Sequence, residues 1–469
     1  MEKKEKRGSF TGSLGFILAA AGSAVGLGNI WRFPYLAAKD GGGVFLLFYL
    51  ILALTFGFTL LITEITIGRK TGQSPLTAYG AIHPKMGWVG VLACLIPTLI
   101  LPYYSAIGGW VLKYLAAYLT GNGMDAVADD YFTGFITAQW EPIIWFLLFL
   151  GATMIVVYKG VDKGIEKFST VLMPLLVLLI MGIAVFSLFL SHTDASGVTR
   201  TGLQGFRVYI VPNFEGMTAR QFLVVLTDAM GQLFYSISVA MGIMITYGSY
   251  VKKETDINKS VNQIELFDTI VAFLAGLMIV PAVYTFMGTE GMAAGPSLMF
   301  ITLPKVFDSM AGGTILGAVF FLLVLFAALT SSISLMEAVT ASIIDKFHFK
   351  RSVATALSFV GALIIGVIVC LGYNVFYLDI PLPNGAVGQI LDLLDYITNN
   401  LMLPIVAFLT CILIGWVCKP KSVIEEISIG LDGKKFRRQK LFVIMIKFVA
   451  PVLLLIILLQ AFNLLSFLG

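Results

Sequence analysis

Five acidic residues, Glu64, Asp228, Asp268, Glu337 and Asp395, lie in or near stretches of chain that are otherwise apolar. Ionisable groups are rare inside membrane-crossing segments; there they bind something or cap exposed backbone, and residue type alone leaves both roles open for each. A second set is made of hydroxyls. Thr330, Ser331, Ser332 and Ser334 fall together in "FAALTSSISLM" (326–336). A lone Ser or Thr in such a helix bonds back to a carbonyl four residues earlier, whereas a cluster of oxygens suits a hard cation. A third set interrupts the apolar run "AAAGSAVGLGNIWRFPY" (19–35) with Gly22, Gly26, Gly28, Asn29 and Arg32. The chemistry open to these types is ion and zwitterion binding rather than bond making. His83, His192 and His348 sit in loops, near no nucleophile or metal set, so no enzyme is expected. The four cysteines have no metal-like or redox-like spacing and read as small buried hydrophobes.

The elements that must position these residues follow from composition. The chain is 58% hydrophobic and 12% charged, with mean hydropathy +0.92, against about 25% charged in soluble domains. Spanning the ~30 Å hydrocarbon core takes about 20 apolar residues. Eleven stretches qualify, near 14–38, 44–67, 89–119, 143–157, 168–190, 222–250, 264–287, 315–344, 353–373, 390–416 and 441–465. This is an all-α polytopic membrane protein of eleven helices; a β-barrel would show short stretches of alternating polarity. With the N-terminus inside, 24 of the 31 lysines and arginines fall on the cytoplasmic side, as the positive-inside rule requires. The chain is therefore read as N-in and C-out, with the charge-rich segment 419–440 as a cytoplasmic loop. The start "MEKKEKRGSF" is followed by an apolar run too long for a signal peptide and is read as retained. No linker divides the chain, which is taken as one domain over 1–469.

The break in helix 1 is echoed five helices later. "GQLFYSISVAMGIMITYGSY" (231–250) is again apolar and again interrupted by small and hydroxyl residues. Because five is odd, a second set of five helices enters the membrane from the opposite side, which is the arrangement of an inverted repeat. The expected repeats cover about 11–190 and 220–417, with an extra helix at about 441–466. Unpaired backbone costs several kcal/mol in hydrocarbon, so a break survives only where something satisfies it. One half-helix then offers carbonyls to a cation, the other its amides to a carboxylate. Close helix packing through Gly22 and Gly26 is the plainer reading, but it leaves Asn29, Arg32 and the second break unexplained. A nucleotide loop is weaker, since no strand precedes it and Trp31 stands where the last glycine should be.

Together these stretches resemble the neurotransmitter:sodium symporter family, in particular its bacterial amino-acid transporters. "GSAVGLGNIWRFPYLAAKDGGGVFLLFY" (22–49) matches the family's first-helix signature, and "GQLFYS", "ITYGSY", "AGGTILG" and "LTSS" recur with it along essentially the whole chain. The resemblance implies a five-plus-five inverted repeat plus helix 11, unwinding of helices 1 and 6 at mid-membrane, and alternating access driven by two Na+. By matching position, the first sodium site would use Ala24, Asn29, Ser236 and Asp268, together with the substrate carboxylate. The second would use Gly22, Val25, Ala327, Thr330 and Ser331. Substrate would lie against Ala24, Gly26, Gly28, Ile100, Tyr104, Tyr235, Ser236, Ser238, Met241, Ser331 and Leu335. Arg32 and Asp395 match an outer gate pair, and Arg7 and Asp345 an inner one, with Phe10, Ser249 and Tyr250 nearby.

Two departures refine this expectation. The helix 7 sodium ligand, usually Asn, is Asp268 here; a fixed carboxylate can balance Na+ where animal relatives need chloride, so no chloride requirement is expected. Position 26 is Gly, where amine-carrying relatives place Asp, so the substrate should bring its own carboxylate. A neutral, small to medium or hydrophobic, L-amino acid is expected, with Na+ and membrane lipid as the other partners and no nucleic acid. The expected location is a bacterial inner membrane; oligomeric state is left open. A non-transporting sensor on the same fold is the alternative, and the paired gates argue against it.

Overall fold

Helix 1 is bent by 55° where Ser13–Ala24 meets Gly28–Lys39, and that bend organises the rest of the chain around it. The computed structural model describes residues 8–194, 196–215, 217–292, 297–310, 312–383, 385–433 and 435–464. Among these, nine further helices are long and apolar enough to cross a membrane. Helices 2 to 5 are Gly43–Thr71, Pro84–Leu119, Glu141–Tyr158 and Val161–Leu188. Helix 6 comprises Ala219–Ser236 and, after a break at 237–242, Ile243–Gly248. Helices 7 to 11 are Ile257–Met287, Gly313–Phe347, Arg351–Leu371, Ile390–Val417 and Gln439–Ala461. The chain is thus an all-α polytopic membrane protein, with two small hairpins (Ser191–Thr193 with Thr199–Thr201, and Ile380–Pro381 with Val387–Gly388) in its loops.

The halves correspond at an offset of five. Helices 1 and 6 are both broken, and helices 3 and 8, at 36 and 35 residues, are the longest and pack along each other. Helix 2 meets the second piece of helix 6 backbone to backbone. A Cβ on Gly68 would stand 1.9 Å from Ile245 O, and one on Gly248 2.3 Å from Ile65 O. Side chains on either would push the helices apart, so these two glycines set the position of the short piece beyond the break.

The segment 419–440 is more ordered than a loop. It contains the helix Lys421–Ile429 and is clamped to the bundle by charge. The buried Arg69 side chain donates from Nε to Glu426 Oε1 (3.0 Å) and from Nη1 to Thr255 O (2.7 Å), while Lys253 Nζ also reaches Glu426 Oε1 (2.7 Å). Arg438 stacks 4.5 Å over the Phe58 ring and bonds Glu265 Oε2 (3.2 Å).

Not every glycine has such a duty. Gly151, inside helix 4, has nothing within 4 Å of where a Cβ would stand. Gly151→Ala is expected to stabilise the protein by about 1 kcal/mol, the helix-propensity difference between the two residues. A thermal-denaturation midpoint of the purified chain should rise accordingly.

Candidate functional site

The first half of helix 1 ends at Ala24 because Val25 leaves the helical region (φ −75°, ψ 93°), and the chain becomes helical again at Gly28. At the bend a Cβ on Gly26 would lie 2.8 Å from Ser331 Oγ and 3.0 Å from Tyr104 OH. Glycine is therefore required there for close approach. The freed backbone finds partners: Leu27 N donates to Tyr104 OH (3.3 Å), and Ser331 Oγ lies 3.1 Å from Ser23 O.

Helix 6 breaks more sharply. Ser238 (φ +53°), Ala240 (φ +63°) and Gly242 (φ +74°) all take left-handed conformations, which for the two residues with side chains is strained. The strain is held by two contacts. Ser238 Oγ donates to Ser23 O (2.9 Å), joining the two breaks, and Ala240 N donates to Glu64 Oε1 (2.6 Å). Glu64, buried in helix 2, thus caps the backbone of a neighbouring helix.

Beside the bend, Asn29, Ser236 and Asp268 are fully buried and mutually bonded. Asn29 Nδ2 donates to Ser236 Oγ and to Asp268 Oδ1 (both 2.9 Å), and Ser236 Oγ stands 2.7 and 2.9 Å from the two Asp268 oxygens. Tyr49 OH is 3.1 Å from both Ser236 Oγ and Asp268 Oδ2. Asn29 Oδ1 is buried with no hydrogen-bond donor. A buried carboxylate next to an unpartnered amide oxygen and a serine hydroxyl is a donor set of hard oxygens, and it fits Na+.

The hydroxyls of helix 8 divide. Ser332 Oγ faces Thr153 Oγ1 of helix 4 (2.8 Å), and Ser334 Oγ faces Tyr247 OH (2.7 Å), so both serve packing. Thr330 and Ser331 turn to helix 1. A Cβ on Gly22 would meet Thr330 Cβ at 3.4 Å, Thr330 Oγ1 lies 3.0 Å from Ala327 O, and Ser331 Oγ is 3.5 Å from Val25 O. All five residues matched to a second sodium site therefore share one locus between helices 1 and 8.

Above the bend, the Tyr235 ring occupies the space a side chain at Gly28 would need, 2.1 Å from such a Cβ, and Gln232 Nε2 donates to Gly28 O (3.1 Å). Ile100, Met241 and Leu335 are buried, as are Ala24, Ser236 and Ser238. Of the gate residues, Asp395 accepts from Asn399 Nδ2 (2.6 Å); Arg32 acts on it through its charge, but among the described residues the two form no ion pair within 4.0 Å. Asp345 accepts from Ser74 N (2.6 Å), and Arg7 lies outside the described residues. Phe10 N donates to Tyr250 O (3.3 Å), and the Phe10 ring packs edge-on to Tyr247 and Tyr250.

Three participants were not singled out from the sequence. Tyr49 closes the Asp268 cluster, Gln232 satisfies the Gly28 carbonyl, and Ser23 joins the breaks. Tyr49 ends the stretch 22–49, and Gln232 sits in "GQLFYS"; a Gln or Tyr in a spanning helix is the signal that each carried.

Known proteins resemble this chain along nearly its whole length. The Sodium:neurotransmitter symporter family profile matches residues 7–128 and 134–467. An uncharacterized sodium-dependent transporter, YhdH of Bacillus subtilis, is 33% identical over 99% of this chain and 100% of its own. The Sodium- and chloride-dependent GABA transporter 2 of Rattus norvegicus is 26% identical over 74% of this chain and 64% of its own. Among solved structures, MhsT in complex with L-phenylalanine superposes with TM-score 0.84 at 34% identity, covering 97% of this chain and 100% of that one.

Proposed function

The chain belongs to the sodium:neurotransmitter symporter family, and on that premise we propose that it imports a neutral L-amino acid, coupled to Na+ and without need of chloride. The observation that carries this reading is the buried cluster of Asn29, Ser236 and Asp268 at the bend of helix 1. There the carboxylate supplies, inside the protein, the negative charge that would otherwise come with an anion. Na+ would be held by Ala24, Asn29, Ser236 and Asp268 at one site and by Gly22, Val25, Ala327, Thr330 and Ser331 at the other. The substrate carboxylate would meet Tyr104 and the amides that follow the bend, since the restarted helix presents its positive end there. No charged side chain among the matched pocket residues is left to pair with a charged substrate side chain. The resemblance of MhsT in complex with L-phenylalanine supports an amino acid as cargo.

In this reading the two halves, about 11–190 and 220–417, rock around the broken helices, with 441–466 outside the repeat. Arg32 and Asp395 close the outer side and Arg7 and Asp345 the inner side. The cation bias supports a cytoplasmic N-terminus, and the likeness to a Bacillus subtilis relative supports a bacterial plasma membrane. The energetics are adequate. Each Na+ entering down ~100 mV and a tenfold gradient releases about 3.7 kcal/mol, so two would sustain roughly 10⁵-fold accumulation.

Uptake into proteoliposomes under an imposed Na+ gradient, with each amino acid as competitor and chloride replaced by gluconate, tests the proposal. Accumulation of none of them would end it. Tyr104→Phe is a finer probe: removing the hydroxyl at the bend is expected to raise KM about tenfold with a smaller change in kcat, because a hydrogen bond to a charged group is lost.

A further inference from the structure

The end of helix 1 carries a buried carboxyl group that the sodium and substrate sites do not use. Helix 1 stops at Lys39, and Asp40, only 6% exposed, follows it with its amide bonded to Leu36 O (2.8 Å). Gly41 and Gly42 turn the chain away in left-handed conformations, and Asn213 N donates to Gly41 O (3.2 Å), pinning the turn to the segment before helix 6. The charged groups facing Asp40 are Lys39 from its own helix and Asp228 from the first piece of helix 6; the pinned turn brings backbone only, and Tyr35 acts on Lys39. Lys39 Nζ sits 2.8 Å from Asp228 Oδ2 but 3.7 Å from Asp40 Oδ1, so the ammonium is committed to Asp228. Asp40 Oδ2 is buried without a donor, and Lys39 Nζ, within 4.0 Å of both acids, holds the Asp228 carboxylate as the neighbour of Asp40.

Two carboxylates and one ammonium leave a negative charge on a cluster whose Asp40 is buried while Lys39 and Asp228 stay in reach of water, and they set an acceptor beside an acceptor. A proton resolves both. We propose that Asp40 and Asp228 share one proton drawn from the outer face, and that this proton ties the end of helix 1 to the first piece of helix 6. In the protonated pair Asp40 donates its carboxyl proton to Asp228, which keeps Lys39 through Oδ2. Burial, then the Asp228 charge, raises Asp40 to about 7, against the pull of Lys39. Because the tied group titrates higher than a free carboxyl at about 4, the tie is fully present below that value. It weakens as pH rises through about 7. The tied pieces are the second half of helix 1 and the first piece of helix 6, so external pH sets how firmly those two pieces are joined. The inference goes beyond the transport reading and does not depend on it.

The test uses the full chain in lipid nanodiscs and needs no transport. Infrared difference spectra across pH 5 to 9 are expected to show a protonated-carboxyl band lost with a midpoint near 7, absent in Asp40→Asn and displaced in Asp228→Asn. Amide hydrogen exchange over 33–40 is then compared between wild type and Asp40→Asn at each pH, which cancels the chemical rate. Their ratio should stay near one at pH 6 and grow above pH 7, by at most about tenfold per unit for one linked proton. The Asp40→Asn side chain keeps a donor, so the variant should fold; intact exchange protection in helix 8 verifies that. A band that survives in Asp40→Asn would overturn the shared proton. A flat exchange ratio would overturn the tie.

Discussion

Asp268→Asn is expected to abolish Na+-driven uptake in chloride-free medium and to let chloride restore part of it. Asp268 is fully buried, and its contacts are to neutral groups: Asn29, Ser236 and Tyr49. A unit charge about 4 Å from a carboxylate gains about 4 kcal/mol at an effective dielectric of about 20, and the fixed carboxylate costs nothing to recruit. Asparagine keeps the shape and the hydrogen bonding but removes that term, so apparent Na+ affinity should fall about 10³-fold. The protein should fold, since the amide can accept from Asn29 and Ser236 as the carboxylate does. Radiolabelled uptake at matched Na+ with gluconate or chloride reads the result. Wild-type uptake by the variant without chloride would show that the charge plays no coupling role.

Gly28→Ala is expected to lower substrate affinity about 10²-fold while leaving the fold in place. The new methyl would stand 2.1 Å from Tyr235 Cδ1 and 2.4 Å from Cε1. The ring must move, and overpacking of this kind costs about 1–3 kcal/mol. Gln232, bonded to Gly28 O, would be displaced along with it. Because Tyr235 is matched to the substrate pocket, the displacement falls on substrate binding rather than on the bundle. Equilibrium binding of the transported amino acid measures it, with Gly151→Ala as the glycine substitution that should leave binding untouched. Unchanged affinity in Gly28→Ala would mean that Tyr235 does not shape the site.

Much of this was legible in the order of residues. Eleven apolar stretches without alternating polarity read as eleven helices because a span outside a closed barrel must satisfy its backbone within itself, and the interruption at 22–29 marked the bend of helix 1 for the same reason. Partners distant along the chain were harder. The four hydroxyls at 330–334 looked alike in sequence, yet helical rotation turns only Thr330 and Ser331 toward helix 1 and gives Ser332 and Ser334 to helix 4 and Tyr247. Glu64 could equally have been a ligand or a cap; the 2.6 Å bond to Ala240 N makes it a cap for a helix 176 positions away. Segment 419–440 read as a loop because its charge dominates its composition, while its order comes from Arg69 and Lys253 elsewhere in the chain.

What the sequence determined alone was therefore local or periodic: span number, the broken helices, the first-helix signature, and the acid at 268. Tertiary structure decided which polar groups meet. Asn29, Tyr49, Ser236 and Asp268 are brought together from four helices, and Asp40 is set against Asp228 from two. The physical reason is that burial removes water as a partner. Each polar group must then find another from whichever helix packs beside it, and no spacing along the chain encodes that neighbour.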